Sequence, residues 1–210
     1  MTKKKSSASA FKRTAAQASP RQSKVPSWVW LAGGGVVAVL LVIGLLYLGF
    51  QGPATANSGI EGAEILPNPG QGHQEGDIAH TDEVPVGGIH NAAWQNCGIY
   101  EEPVREENVI HSMEHGAVWL AYQPDLPSDQ VETLQNLVRQ ERSGQGEPLI
   151  VLAPKPDLDA PIIATAWRVQ LKLDRASDER LVQFLQRYQR GSFTPEPRAA
   201  CVGGVGEPLS

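Results

Sequence analysis

The sequence is poor in the residues and motifs that usually reveal a reaction. Two of its 210 residues are cysteine and two are methionine, and no Cys-x-x-Cys pair occurs, which excludes dithiol exchange through that motif. A Gly-x-Ser-x-Gly elbow, a phosphate-binding P-loop and a dinucleotide fingerprint are also missing. The familiar signatures of esterases, nucleotide hydrolases and NAD-dependent dehydrogenases are therefore absent from this chain.

Acidic residues are missing from the first fifty positions, and this divides the chain by charge. This stretch holds seven of the eighteen lysines and arginines, so residues 51–210 carry the other eleven with all twenty-three acids, a formal charge of −12. An acidic second part argues against a nucleic-acid partner. Residues 1–27 form a basic tail without the apolar residues needed for folding, and we expect it to lie disordered against anionic lipid.

Charged residues of either sign are missing from residues 28–50. A helix of these 23 residues would be roughly 34 Å long, which is enough to span a bilayer. Because the basic residues precede it, the positive-inside rule predicts a cytoplasmic N-terminus and an extracytoplasmic C-terminal part. The alternative is a signal peptide cleaved near residues 54–56, although the apolar core of such peptides is usually only about 7–15 residues long. We therefore predict a single-pass protein of the cell membrane, with the lipid bilayer as its partner.

The rest of the chain predicts a linker and one α+β domain. Residues 51–72, rich in Gly, Pro and Asn, are typical of a flexible linker, and residues 73–210 are long enough for one core. We expect mainly loops over residues 73–108. Hydrophobic periodicity then predicts three strands and two helices: strands at 117–122, 149–153 and 163–173, a helix at 128–142, and a helix that Ser177 caps and Gly191 ends. This β-α-β-β-α order favours a mixed sheet of at least three strands backed by two helices.

Cys97 and Cys201 are the only cysteines, and both lie in the part that we predict to be exported, where disulfides persist. A bridge between them would close a loop of about a hundred residues and stabilise the fold by roughly 4–5 kcal/mol in the chain-entropy model. Two free thiols or a metal-binding pair are the alternatives. We predict the disulfide, which would join the irregular beginning of the domain to its C-terminal end.

The histidines offer the clearest chemistry, and His111–His115 matches the pattern H-x-x-E-H. In zinc proteases with this pattern, two histidines one helical turn apart bind zinc and the glutamate acts as a base. That arrangement needs a helix, whereas Gly116 and an apolar strand follow at once. We expect only a turn at this position, and this expectation disfavours a protease.

A turn at residues 114–116 would bring His111, Met113 and His115 together with His90. Imidazole and thioether ligands suit copper, and the addition of Glu114 gives a set that suits zinc. The candidate metal ligands are therefore His90, His111, Met113, Glu114 and His115, and the candidate metals are copper and zinc. The alternative is that these histidines form hydrogen bonds with loops and strand ends around a polar pocket.

Several segments form a recognisable set. They are Gly88–His90, Trp94–Tyr100, His111–Trp119, Thr165–Trp167, and Pro195–Pro197 with Cys201. With this set the chain resembles, over about residues 73–204, the bacterial family known as domain of unknown function 3105. The resemblance implies an N-terminal membrane anchor. It also implies that His90, His111, Glu114 and His115 belong to a shared motif, and it implies no particular activity.

The sequence thus predicts an anchored, exported domain with a histidine cluster as its functional site. It leaves open whether the protein is an enzyme. One alternative function is a non-enzymatic interaction or structural module at the cell surface. Another is a hydrolase that uses Glu114 and a histidine.

Overall fold

The structure, a computed structural model, describes residues 58–145 and 149–209. The predicted basic tail, the predicted transmembrane helix at 28–50 and the start of the predicted linker, 51–57, lie outside the described residues. Within the two described ranges, no helix is both long enough and apolar enough to cross a membrane.

The described residues form an α+β fold with eight strands and three helices. The strands are β1 (Ala63–Ile65), β2 (Gln71–His73), β3 (Gly88–His90), β4 (Gly98–Ile99), β5 (Val118–Tyr122), β6 (Ile150–Pro154), β7 (Ile162–Ala166) and β8 (Val169–Leu173). The helices are α1 (Glu106–Glu114), α2 (Ser128–Gln145) and α3 (Glu179–Tyr188). The predicted α+β class is confirmed, with one helix more than the two predicted.

Six of the strands form one mixed sheet in the order β1-β8-β7-β5-β6-β4. Strands β5 and β6 are parallel, as expected for a strand-helix-strand unit, while β7 runs antiparallel to both β5 and β8. Strands β2 and β3 form a separate parallel pair. The predicted mixed sheet is therefore confirmed, and it has more strands than the minimum of three.

The central strands β5, β6 and β7 are buried along their whole length. Because successive residues of a strand point to opposite sides, both faces of the sheet are covered there. Val118 and Leu120 of β5 join a hydrophobic cluster that includes residues of α2 and α3. Trp119, between them in sequence, joins a second cluster with Ile110 and Met113 of α1. Strands buried on both faces have continuous apolar sequences, which is why β5 and β6 are recognisable in the sequence.

The predicted third strand, residues 163–173, is wrong as a single strand. The chain reverses between Ala166 and Val169, and β7 and β8 pair as an antiparallel hairpin. Arg168, the second residue of the two-residue turn, has a φ of 67°, a left-handed conformation that is uncommon for a residue other than glycine. The alternation of apolar and polar residues continues through the turn, so the sequence pattern does not show where the strand ends.

The expectation of loops up to Asn108 and a turn near His111 is also wrong, because α1 occupies residues 106–114. Glu106 and Glu107 lie in its first turn, where negative charge is favoured by the helix dipole. Val109, Ile110 and Met113 are fully buried on the side that packs against the sheet. Helix α1, which the sequence does not predict, covers the sheet face opposite α2 and α3.

The predicted linker, residues 51–72, contributes structure over the part that is described. Strand β1 pairs with β8 at the edge of the large sheet, and β2 pairs with β3. Ile60 is buried in the core, and the hydroxyl of Tyr188 donates a hydrogen bond of 2.9 Å to the carbonyl of Ser58. A few apolar side chains among many glycines are therefore enough to fix this segment to the domain.

Cys97 and Cys201 are bridged, with a Cα–Cα distance of 5.4 Å across 104 residues of sequence. Both are buried. The bridge joins the segment before α1 to the C-terminal segment, so the predicted disulfide is confirmed.

Candidate metal site

The C-terminal end of α1 presents one imidazole and one carboxylate. His111 and Glu114 are three residues apart in the helix, so they project from the same side. The chain then turns at Gly116, whose φ is +102°. A Cβ on Gly116 would lie 3.0 Å from the Cα of Arg190, so a larger residue would push this backbone away from the helix end.

Strands β2 and β3 supply two further imidazoles. In their parallel register, His73 lies opposite His90. The backbone N–H of Gln74 extends the pairing by donating a hydrogen bond of 2.8 Å to the carbonyl of His90. Because opposite residues in a parallel pair project to the same side, the register brings the two rings together.

These two sources of ligands meet in one cluster, the four-residue site, which consists of His73, His90, His111 and Glu114. One ligand atom from each residue lies within 4.8 Å of every other. The three imidazole rings form a nearly equilateral triangle, with each pair of ring centroids 4.8 Å apart. His90, His111 and Glu114 are buried, whereas 51% of the His73 side chain is exposed. The site therefore lies at the domain surface and opens on the side of His73.

Backbone carbonyls fix the orientation of two of the imidazoles. Nδ1 of His90 donates to the carbonyl of Gly88, and Nδ1 of His111 donates to the carbonyl of Asn91, each at 2.8 Å. A carbonyl can only accept, so each Nδ1 carries a hydrogen, and the Nε2 of a neutral ring keeps its lone pair. Histidines that bind metals are usually held by such a bond from the second ring nitrogen.

The contact between Nε2 of His90 and Oε2 of Glu114 is favourable only if a proton or a cation lies between the two atoms. Nε2 of His90 lies 3.0 Å from Oε2 of Glu114, and both side chains are buried. With Nδ1 bonded to Gly88, a neutral His90 and an ionised Glu114 would face each other with two lone pairs. Two such acceptors repel each other unless a proton or a cation lies between them.

His111 is in the form that a metal requires. Burial lowers the pKa of His111 to about 4, despite the opposing effect of its hydrogen bond to the carbonyl of Asn91. The neighbouring histidines His115, His90 and His73 lower the pKa further, because positive charges at such short distances would repel one another. The imidazole is therefore neutral at pH 7, as a metal ligand must be.

The dimensions of the four-residue site fit a transition-metal ion. Imidazole nitrogens bind such ions at about 2.0–2.1 Å, which places the ring centres of three ligands on one tetrahedral ion roughly 5 Å apart. The observed separations of 4.8 Å agree with this value. Three imidazoles and a carboxylate form a donor set that suits zinc or divalent copper.

The structure places two of the five predicted ligands outside the four-residue site. Met113 has no exposed surface and packs in the hydrophobic core beneath α1. The ring of His115 lies 4.5 Å from that of His111, but its Nε2 faces Oε2 of Glu196 at 3.8 Å and is not part of the group of converging ligand atoms. The remaining three, His90, His111 and Glu114, are brought together.

The expectation that residues 111–115 form only a turn, which disfavours a protease, is wrong, since α1 provides the helix that the H-x-x-E-H pattern needs. The side chains are nevertheless used differently from the protease arrangement. Glu114 lies among the imidazoles, with its Oε2 close to His90 and 3.8 Å from Nε2 of His73. It occupies the position of a ligand, whereas a protease of this type keeps the glutamate free to act on water.

His73 belongs to the site but is not among the predicted ligands. Nothing next to it in sequence resembles a metal motif, and β2 contains a glycine and only three residues. Its place depends on the register with β3, which starts fifteen residues after β2 ends. A signal was nevertheless present, since His73 is one of only five histidines in the chain.

Comparison with known proteins gives a family and no function. No curated protein and no solved structure matches the chain. One family model matches residues 73–203, and its description is protein of unknown function DUF3105. The matched segment contains all four residues of the site and both cysteines of the disulfide. Because the match covers more than half of the sequence, the chain belongs to the DUF3105 family, as its sequence motifs predict.

Proposed function

We propose that this protein is a single-pass membrane protein whose extracytoplasmic domain binds one divalent transition-metal ion through His73, His90, His111 and Glu114. The observation that carries the metal proposal is the convergence of four ligand atoms within 4.8 Å of one another. The anchor and its orientation rest on the uncharged run at 28–50 and the basic residues that precede it. The buried disulfide supports an oxidising compartment for the domain.

The donor set favours divalent copper or zinc. Three imidazoles and one carboxylate suit these ions, and divalent copper binds most tightly in the usual order of affinities. The thioether of Met113 is packed in the core, so the structure offers no support for the soft ligand that monovalent copper prefers. Zinc and divalent copper are therefore the two ions to test.

A hydrolase that uses Glu114 as its base is less well supported. Glu114 is buried, and its Oε2 faces His90 at 3.0 Å. A carboxylate that served as a metal ligand here would not be free to accept a proton from water. A cell-surface interaction module without a metal is the outcome that a failed binding test would favour.

Metal content of the purified full-length chain tests the proposal. The protein, extracted in detergent, is stripped with a chelator, reloaded with zinc or divalent copper, and dialysed before elemental analysis. All five histidines and both cysteines lie after residue 57, so bound metal reports mainly on the domain. We expect about one ion per wild-type chain and loss of this ion in the double variant His90→Ala/His111→Ala.

His80→Asn is the matched control. His80 is partly buried and lies outside the four-residue site, so its loss should leave the metal content unchanged. Circular dichroism of all variants checks that the fold is retained. Equal, substoichiometric metal in the wild type and the double variant would contradict the proposal.

A further inference from the structure

The segment that carries His73 is a long loop whose first part is exposed and whose end, residues 84–87, is buried. The β2 loop, residues 66–87, connects β1 at the edge of the large sheet to β3. From Pro67 to Asp77 every residue except Gly72 is exposed. Segments with few buried apolar contacts open locally at low free-energy cost.

The tip of the β2 loop, residues 70–77, is attached to the domain by a few weak contacts. It shares a three-residue ladder with β3. Arg105 of the segment before α1 donates hydrogen bonds to the carboxylate of Asp77 at 2.7 Å and to the carbonyl of Gly76 at 3.3 Å. The Asp77 side chain is fully exposed and that of Arg105 is about half exposed, and ion pairs between exposed groups contribute little.

His73 is the one ligand that comes from the β2 loop, whereas His90, His111 and Glu114 are fixed in β3 and α1. Nε2 of His73 lies 3.8 Å from Oε2 of Glu114, which is beyond hydrogen-bonding distance. An ion bound to all four residues would add a strong bond between the tip of the loop and the buried part of the site. Binding to one state and not to another shifts the equilibrium toward the bound state.

We infer that an ion at the four-residue site clasps the β2 loop to the domain through His73, so that metal occupancy sets how often this loop opens. This inference rests on the proposed function. The two ends of the same loop, together with Gln170 and Lys172 of β8, line a cavity of about 600 Å³. The wall formed by residues 67–69 belongs to the exposed part of the loop, so its position would also depend on metal occupancy.

Hydrogen exchange of the full-length chain, measured by mass spectrometry with and without zinc, tests the inference. Peptides that cover residues 70–77 should exchange at least about tenfold more slowly with zinc, whereas peptides from β5 in the middle of the sheet should not change. His73→Ala should abolish the slowing at a zinc concentration that still loads the other three ligands. Asp77→Asn removes the surface ion pair and keeps the ligands, so the slowing by zinc should persist.

The outcomes separate the two proposals. If the wild-type chain binds no zinc, the proposed function fails and the clasp fails with it. If zinc binds but exchange over residues 70–77 is unchanged, the clasp is overturned and the proposed function stands. The clasp is also overturned if the His73→Ala variant binds zinc and shows the same slowing as the wild type.

Discussion

His73 and His115 both lie against the ring of His111, with centroid separations of 4.8 and 4.5 Å, yet only His73 belongs to the four-residue site. The difference lies in the carboxylate that each Nε2 faces. Nε2 of His115 lies 3.8 Å from Oε2 of Glu196, whereas Nε2 of His73 lies 3.8 Å from Oε2 of Glu114. His115 is bonded to the carbonyl of Ala200 in the C-terminal segment, while His73 shares the strand register of His90. Proximity of two imidazoles is therefore not enough to identify a shared ion.

The variants His73→Asn and His115→Asn form a matched pair that tests this assignment. Loss of a ligand should weaken zinc or copper binding by about 100-fold or more, since loss of a group that only hydrogen-bonds a ligand already costs about 10–100-fold. His115→Asn should weaken binding by less than about tenfold. Competition with a chromophoric chelator measures both affinities, and a larger effect of His115→Asn would contradict the assignment.

Three of the four site residues can be found from the sequence because they lie in segments of the family pattern. His111 and Glu114 are three residues apart in one segment, and His90 ends another, shortly before Trp94. Met113 and His115 were named for the same reason, but a helix separates neighbours by about 100° per residue and turns Met113 into the core. His73 depends on a pairing between two strands of three residues each, which local sequence does not encode.

Helix α3 illustrates how a single polar residue fixes the start of an element. Its N-cap is Asp178, whose carboxylate accepts a hydrogen bond of 2.9 Å from the backbone N–H of Arg180. The sequence points to Ser177 for this role, and that prediction is wrong by one residue. Serine and aspartate are about equally good caps, so the choice depends on where the helix packs, through Leu181 and Phe184.

Asp178→Ala should lower the free energy of unfolding by about 1 kcal/mol, the usual cost of losing a cap. The Arg180 guanidinium lowers the pKa of Asp178 to about 2, from 3.8. A depressed pKa in the folded state gives stability that is present above pH 4 and is lost as the pH falls toward 2. The difference between wild type and variant should therefore shrink over this range in denaturant titrations. Ser177→Ala, at an exposed position, is the control and should have little effect.

The elements that the sequence predicts correctly are those whose pattern of apolar residues follows from packing in or against the central sheet. β5 and β6 are apolar throughout because both of their faces are covered, and α2 and α3 each bury one regular stripe. α1 is short and contains Asn, His and Ser, which are weak helix formers. Packing of Val109, Ile110 and Met113 against the sheet stabilises α1 despite its low helix propensity. That packing is visible only in the assembled fold.

At the scale of the whole molecule, the disulfide joins two distant parts of the matched family segment. It links the region before α1 to the C-terminal segment, where Ala200 accepts the hydrogen bond from His115. The backbone of Cys97 also donates to the carbonyl of Cys201 at 2.8 Å. Such a bridge persists in an oxidising compartment, which agrees with the orientation predicted from the charge division of the chain.

Protease added to intact cells or spheroplasts tests this orientation. With an epitope tag at each end, the C-terminal tag should be removed while the N-terminal tag is kept, because only the domain would face the medium. Disruption of the membrane should then expose both tags. Protection of the C-terminal tag together with loss of the N-terminal tag would contradict the proposed topology.

The central claim, that His73, His90, His111 and Glu114 hold one ion, is tested most directly by X-ray absorption of the zinc-loaded or copper-loaded chain. The four-residue site predicts nitrogen and oxygen neighbours at about 2.0–2.2 Å, outer-shell scattering from three imidazoles, and no sulfur. A sulfur neighbour at about 2.3 Å, or scattering from fewer than two imidazoles, would contradict it.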